Sequence, residues 1–311
     1  MGMTVRPEGD TMIEDRSAAD DRALSTFVTH RNLLFTVAYE ILGSAVDAED
    51  VVQETWLRWA AVDLETVRDQ RAYLVRIATR QALTRLRTLS RRKEAYVGPW
   101  LPEPLLTTPD VADDVELADN VSMAMLLVLE TLAPVERAVF VLREVFAVDY
   151  DEIAATVDRT PATVRQIAHR AREHVTARRP RGSTSAAQSR EVLDAFQRAT
   201  ETGDLQGLLD VLAPEVVLLG DGGGIRQTVP RPIVGSSKVA RLLLLALDRV
   251  AGQVGYRPST VNGLPALIVE LDGEVDTVVT ARIDDGRISE LYAVRNPEKL
   301  GGLGREITLG R

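Results

Sequence analysis

The 311-residue sequence contains no cysteine. Disulfide scaffolds, Cys-ligated zinc and thiol catalysis are therefore excluded, and the composition fits a reducing compartment. Histidine is scarce, at three residues; His30 is remote in sequence from His169, which reads as a surface residue and not as a metal ligand. No stretch approaches the ~20 consecutive apolar residues that a bilayer demands. Met1–Asp21 is polar and acidic with no apolar signal core, and it reads as a flexible tail. A cytoplasmic protein with no membrane partner, no metal and no cofactor is expected. The 45% of apolar residues suffices for cores of normal size, and the length points to two or three domains.

The formal net charge of −9 hides a segregation. Arg68 to Lys93 carries nine Lys/Arg against one acid, Asp69, and Arg159 to Arg181 carries seven Arg against one acid, Glu173. Met1 to Thr66 holds 13 acids against five Arg, and Glu103 to Asp119 six acids and no base. Phosphate responds to local potential, so two basic islands in an acidic chain are compatible with DNA. Charge alone fits two solvated helix faces equally well.

Punctuation divides the chain into a tail (1–21), a helical block (22–90), a Pro-rich acidic linker (91–116), a second helical block (117–178), a short Pro/Gly/Ser linker (179–187) and a mixed block (188–311). In the first block Leu33, Leu34, Val37, Ala38, Ile41 and Leu42 recur at helical spacing, ended by Gly43-Ser44. The next helix opens with Asp47-Ala48-Glu49-Asp50, acids where the helix dipole favours them, and turns Gln53, Glu54 and Arg58 outward. A third helix, about Arg71 to Leu89, sets an apolar stripe (Leu74, Ala78, Ala82, Leu86, Leu89) against a polar one (Arg76, Arg80, Thr84, Arg87). Arg85 is expected to lay its stem on the surface with its head in water. Tyr73 and Gln81 could stack on or hydrogen-bond exposed bases.

The second block carries the stronger signal. Asp149 and Glu152 are spaced as a capping box before a short helix burying Tyr150, Ile153, Ala154 and Val157. After Asp158-Arg159, Thr160 caps a new helix with Pro161 at its first position. That helix buries Val164, Ile167, Ala168 and Ala171 and presents Arg165, Gln166, His169, Arg170 and Arg172. A short helix, a tight turn and a basic second helix make a helix-turn-helix suited to the major groove, and the same pattern is compatible with a plain helical hairpin.

These two blocks together resemble a known family. Asp47-Ala48-Glu49-Asp50-Val51-Val52-Gln53-Glu54-Thr55-Trp56-Leu57-Arg58 resembles the second conserved region of sigma factors. The resemblance implies that Asp47, Glu49, Asp50, Gln53 and Glu54 bind core RNA polymerase at its clamp. The segment Arg71 to Arg87 resembles the helix that opens and reads the −10 promoter element, which implies DNA roles for Arg71, Tyr73, Arg76, Arg80, Gln81, Thr84 and Arg87. Leu132-Ala133-Pro134-Val135-Glu136-Arg137-Ala138-Val139-Phe140 and the helix-turn-helix resemble the fourth region, which reads the −35 element and meets the polymerase flap. Thr163, Arg165, Gln166, His169, Arg170 and Arg172 would face promoter DNA. With no sizeable domain between the blocks, the pattern is similar to the extracytoplasmic-function class. Trp100–Pro104, Asp221–Gly224 and Asn296–Leu300 further resemble members with a SnoaL-like C-terminal extension. By analogy that extension folds back on the sigma domains, through Trp100, Leu101, Pro102, Asp221, Gly222, Gly223, Asn296, Pro297 and Lys299, and tunes them. Two departures stand out: Ile225 occupies the place of a basic residue after the glycines, with Arg226 next, and Arg80 replaces a smaller polar base reader.

Read on its own terms, the C-terminal block gives helices, then β-type runs at Ala266–Leu271 and Thr277–Ile283 and a hairpin turn at Asp285-Gly286. The expectation is a multidomain protein: two all-α units plus an α+β cone like nuclear transport factor 2. Such a cone hosts enzymes and binding modules alike. Asp221 is the one obvious candidate base, and Asp-Gly-Gly-Gly is more often a turn; no catalytic role is expected. A DNA-binding regulator independent of polymerase, with a ligand-binding C-terminal domain, is the competing reading.

Overall fold

The computed structural model describes residues 8–108, 115–178, 185–250, 252–304 and 306–310. Helix α1 (Glu8–Leu42) begins just after Pro7, inside the segment expected as a flexible tail. The chain has no proline from there to Pro99, and with the single Gly9 as a weak point nothing interrupts the helix until Gly43. Gly43 takes φ 67° and returns its N–H to Tyr39 O. Ser44 then caps α2 (Ala45–Trp59) by accepting from Asp47 N, and α3 (Gln70–Glu94) completes a three-helix unit. After residues outside the described range, α4 (Val115–Val121) and α5 (Met123–Glu130) lead to α6 (Pro134–Phe140) and a π-type turn, Val141–Val145. The helix-turn-helix follows as α7 (Tyr150–Val157) and α8 (Pro161–Arg178). Thr160 Oγ1 accepts from Thr163 N, as its sequence position requires. Asp149, in contrast, makes no side-chain cap bond, so the expected capping box is absent; its carboxylate faces Arg143 at 3.9 Å instead.

The two helical blocks share one core. Leu34 and Ile41 of α1, Trp59 of α2 and Leu74 and Leu86 of α3 belong to the same buried apolar cluster as Val139, Leu142, Ile153, Val164 and Ala168. The sequence pattern had them as separate units. Each amphipathic face needs a partner, and in this arrangement the partners are each other.

The C-terminal block opens with α9 (Ala186–Glu201), capped reciprocally by Ser185 and Gln188, and α10 (Leu205–Val211). A six-stranded sheet follows in the order β2-β1-β6-β5-β4-β3, with β1 (Leu212–Asp221) parallel to β6 (Arg287–Val294). Strands β2 (Ile233–Val234), β3 (Val254–Val261), β4 (Leu264–Leu271) and β5 (Glu274–Asp284) pair antiparallel to their neighbours. Three tight turns join β3 to β6: Asn262-Gly263, Asp272-Gly273 and Asp285-Gly286, each with positive φ at both residues. Two successive left-handed residues define the type I′ hairpin turn.

One sheet face is covered by α9, α10 and α11 (Ser236–Asp248) through Phe196, Leu208, Val239, Leu267, Ile283 and Leu291. This is the expected α+β cone. The opposite face is covered by the rest of the molecule: Leu101 of the linker and Met123 of α5 pack on Val261, Ala266, Ile268, Val278, Tyr292 and Val294. Segment 306–310 then returns to the helical half. Ile307 pairs with Leu106 and Thr108 of the linker, Leu309 is buried in the helical core, and Gly310 N donates to Thr36 Oγ1 of α1.

Candidate nucleic-acid interface and interdomain junction

Helix α8 projects Arg165, Gln166, His169 and Arg170 into solvent, because Val164, Ile167, Ala168 and Ala171 occupy the opposite face. Tyr150 lies between Arg143 and Arg165, 4.5 and 5.5 Å from its ring centre. Thr163 is spent on the Thr160 cap, and His169 faces Glu173 on the surface. Arg172 is held by both Glu144 oxygens at 2.6 and 3.0 Å, hydrogen bonds that push its pKa up. It is thus less available to phosphate than Arg165, Arg170 or the exposed Arg178.

Along α3, Arg71, Arg80, Thr84 and Arg87 are exposed while Tyr73, Arg76 and Gln81 are half-buried. Arg76 lies over the Tyr73 ring at 4.6 Å, and that ring leans on Trp59. The Gln81 amide sits between Glu54 and Arg58 of α2. Arg85 keeps its side chain 31% exposed, but its head group is not free in water as expected: Asp47 at 2.6 Å and Asp50 hold it against α2. The acidic opening of α2 is partly spent by the same contacts. Asp47 is buried and bonded to Ser44 and Arg85, Glu49 takes a bidentate bond from Arg31 at 2.7 and 2.9 Å, and Gln53 and Glu54 are exposed. Apolar residues missed by the sequence reading join that surface: Leu57 is 70% exposed and Val46 59%.

The linker is not a solvated connector. Residues 91–94 belong to α3, Val115 and Glu116 to α4, and 109–114 lie outside the described residues. Between them Leu101 to Leu105 are buried. Trp100 stacks under the Lys299 ammonium at 3.4 Å, with Lys93 at 4.9 Å and the Tyr96 ring edge-on. Lys299 Nζ donates to Asp221 Oδ2 at 2.7 Å and to Leu101 O at 2.6 Å, and burial lowers its pKa. Asp221 is fully buried and also accepts from Leu101 N, Gly223 N and the Tyr96 hydroxyl. Four donors and no solvent leave it no role as a base. Gly223 has φ 65°, and a Cβ there would come within 2.6 Å of Asn296 Cγ. Asn296 caps the one-turn helix Pro297–Leu300 by accepting from Glu298 N, and its amide donates to Tyr96 Oη. Pro297 itself is exposed, and the Pro102 ring lies beside Gly43. Arg226, at the departure noted after the glycines, points to the surface.

A second node escaped the sequence. Glu103 caps α2, accepting from Ala45 N at 2.8 Å, and burial raises its pKa. Asn262, in the β3–β4 turn, donates to Tyr39 Oη and Val121 O and exchanges bonds with both Leu105 N and Leu105 O. One buried amide therefore joins α1, the linker, α4 and the sheet. The Asn-Gly pair signals its turn; nothing in sequence signals its partners. Among the described residues no three His, Cys, Asp or Glu side chains converge as metal ligands, and no helix is long and apolar enough to cross a membrane.

Residues 26–92 match the family Sigma-70 region 2, and residues 122–175 match Sigma-70, region 4. The class defined by the two helical units is thus the sigma-70 type of transcription factor. The ECF RNA polymerase sigma factor SigJ of Mycobacterium tuberculosis (strain ATCC 25618 / H37Rv) is 38% identical over 296 residues, covering 90% of this chain and 93% of SigJ. The probable ECF RNA polymerase sigma factor SigI of the same species is 32% identical over 290 residues, covering 92% and 98%. The crystal structure of M. tuberculosis SigJ superposes with a TM-score of 0.72 at 33% identity, over 90% of this chain and 99% of that one. The chain belongs to the extracytoplasmic-function RNA polymerase sigma factors.

Proposed function

We propose that this sigma factor binds core RNA polymerase in the cytoplasm through the outer face of α2, Gln53, Glu54 and the exposed Leu57 and Val46, with the flap meeting the region-4 unit. In this reading α3 lies on the −10 element through Arg71, Tyr73, Arg76, Gln81, Thr84 and Arg87. Helix α8 enters the major groove of the −35 element with Arg165, Gln166, His169 and Arg170, where Arg and Gln suit bidentate base contacts. The C-terminal domain tunes this activity through the linker junction. The carrying observation is the exposed arginine face of α8 above a fully apolar opposite face.

The closed arrangement described above is a resting form. Elements about 25 base pairs apart are separated by roughly 85 Å of duplex at 3.4 Å per pair. Helix α3 touches the helix-turn-helix at hydrogen-bond distance, so the two units must part before both can be seated. Transcription reconstituted with core polymerase tests the assignment. Arg165→Ala with Gln166→Ala is expected to relax −35 preference by about 10- to 100-fold, with −10 preference retained. Unchanged promoter choice, or no association with core polymerase, refutes it.

A further inference from the structure

The two promoter-facing units are tied together by a residue of the −10 helix itself. On the polar stripe of α3, Arg76 lies over Tyr73, Thr84 returns its hydroxyl to Arg80 O, and Arg87 is exposed. Arg80 instead reaches across to the helix-turn-helix. Its Nη2 donates to Ala155 O at 2.7 Å and to Asp158 Oδ1 at 3.0 Å, and its Nε donates to Thr156 O at 3.0 Å. The first and last of these acceptors are late carbonyls of α7. The other belongs to Asp158, the turn residue that ends α7 with a left-handed φ of 53°.

A helix C-terminus favours a nearby cation, and α7 carries no basic residue in its own last turn. Arg80 supplies that cation from a different domain. Its planar fork matches two carbonyls and a carboxylate at once, which a point-charge ammonium on a flexible stem does not. Beside this contact the seam is open. A cleft of about 470 Å³ separates Arg71, Tyr73 and Arg76 of α3 from Asp151, Glu152 and Thr156 of α7. The shared apolar core holds the two units elsewhere; at this cleft, where that packing is interrupted, Arg80 supplies a directional polar tie.

We infer that Arg80 is a bolt between the −10 and −35 units, a positioning residue and not a base reader, and that its guanidinium must release the α7–α8 turn before the two units can occupy their separate elements. This rests on the promoter-recognition reading above, and it accounts for an arginine where a smaller polar base reader is usual.

The absence of cysteine allows a clean test. Thr88→Cys on α3 and Thr176→Cys on α8, both exposed, accept a donor–acceptor dye pair in the full-length protein with no background labelling. Energy transfer is followed along a urea series below global unfolding. Arg80→Ala should shift the closed-to-open ratio about tenfold toward open, since three hydrogen bonds from a charged donor are lost, and Arg80→Lys should fall between. In reconstituted transcription over a panel of −10 variants, Arg80→Ala should keep the wild-type base preference. Identical transfer curves for wild type and Arg80→Ala overturn the inference, and so does an altered −10 preference. A wild-type protein that opens no promoter overturns the promoter reading, while the transfer curves still decide whether Arg80 is the bolt.

Discussion

At the scale of single residues, the chain spends its charges internally more than its composition suggests. Lys299 and Asp221 have side chains 8% and 0% exposed and meet at 2.7 Å, with the Lys299 ammonium over the Trp100 ring. A buried pair of this kind contributes modestly as a pair, but removing one member strands the other. Lys299→Met is expected to destabilise docking of the C-terminal domain by about 3–5 kcal/mol, and the double variant Lys299→Met, Asp221→Asn to recover only part of that, because it removes the stranded charge while an amide oxygen can still accept from Gly223 N and the Tyr96 hydroxyl. Thermal unfolding of the single and double variants measures the coupling. The same economy shows what a sequence pattern does not see. Arg85, Asp47 and Arg172 lie on faces that look solvated in one helix, yet each has its partner on another element. Periodicity finds the face of a helix and is blind to what stands opposite.

Among elements, those that follow from local chemistry were legible. Thr160-Pro161 and the apolar spacing of Val164, Ile167 and Ala171 announce the recognition helix, and Asp285-Gly286 announces its hairpin; Asn262-Gly263 and Asp272-Gly273 follow by the same rule. The linker was not legible as a buried keel, because Trp100-Leu101-Pro102-Glu103-Pro104 has spacer composition and its burial depends on a sheet more than a hundred residues later. The strap 306–310 was missed for a similar reason. Its alternation of Ile307 and Leu309 is a strand signal, but its pairing partner is Leu106–Thr108 and its apolar pocket lies under α1. Leu309→Ala should cost about 2–4 kcal/mol locally, read as faster amide exchange at the α1 positions Leu33 to Val37 with little change in the sheet. Uniform exchange across both would mean that the strap is not a separable clasp.

For the whole molecule, the sheet face opposite α9–α11 is complete only with the linker and α5 upon it. Truncation after Ala187 therefore uncovers Leu101, Leu106 and Met123 together. The truncated protein should bind an apolar dye and melt at lower temperature than the full chain; indistinguishable dye binding would contradict the described packing. Alkaline pH offers a second probe. Burial pushes the phenols of Tyr39 and Tyr96 well above the ordinary tyrosine value. The folded state then keeps protons that the unfolded chain has released, so stability is fully present below pH ~10 and falls as pH rises beyond it. Replacing both by Phe should flatten that slope in a urea-unfolding series, which isolates the phenols from Lys299, whose lowered pKa acts with the opposite sign.

The strap has a consequence in time. A ribosome delivers α1 to α8 long before residues 306–310, so α1 leaves the exit tunnel while the segment that packs against Leu33 and Thr36 does not yet exist. Every newly made copy passes through an unfastened stage, and the delay between finishing α8 and finishing the strap sets how long that stage lasts.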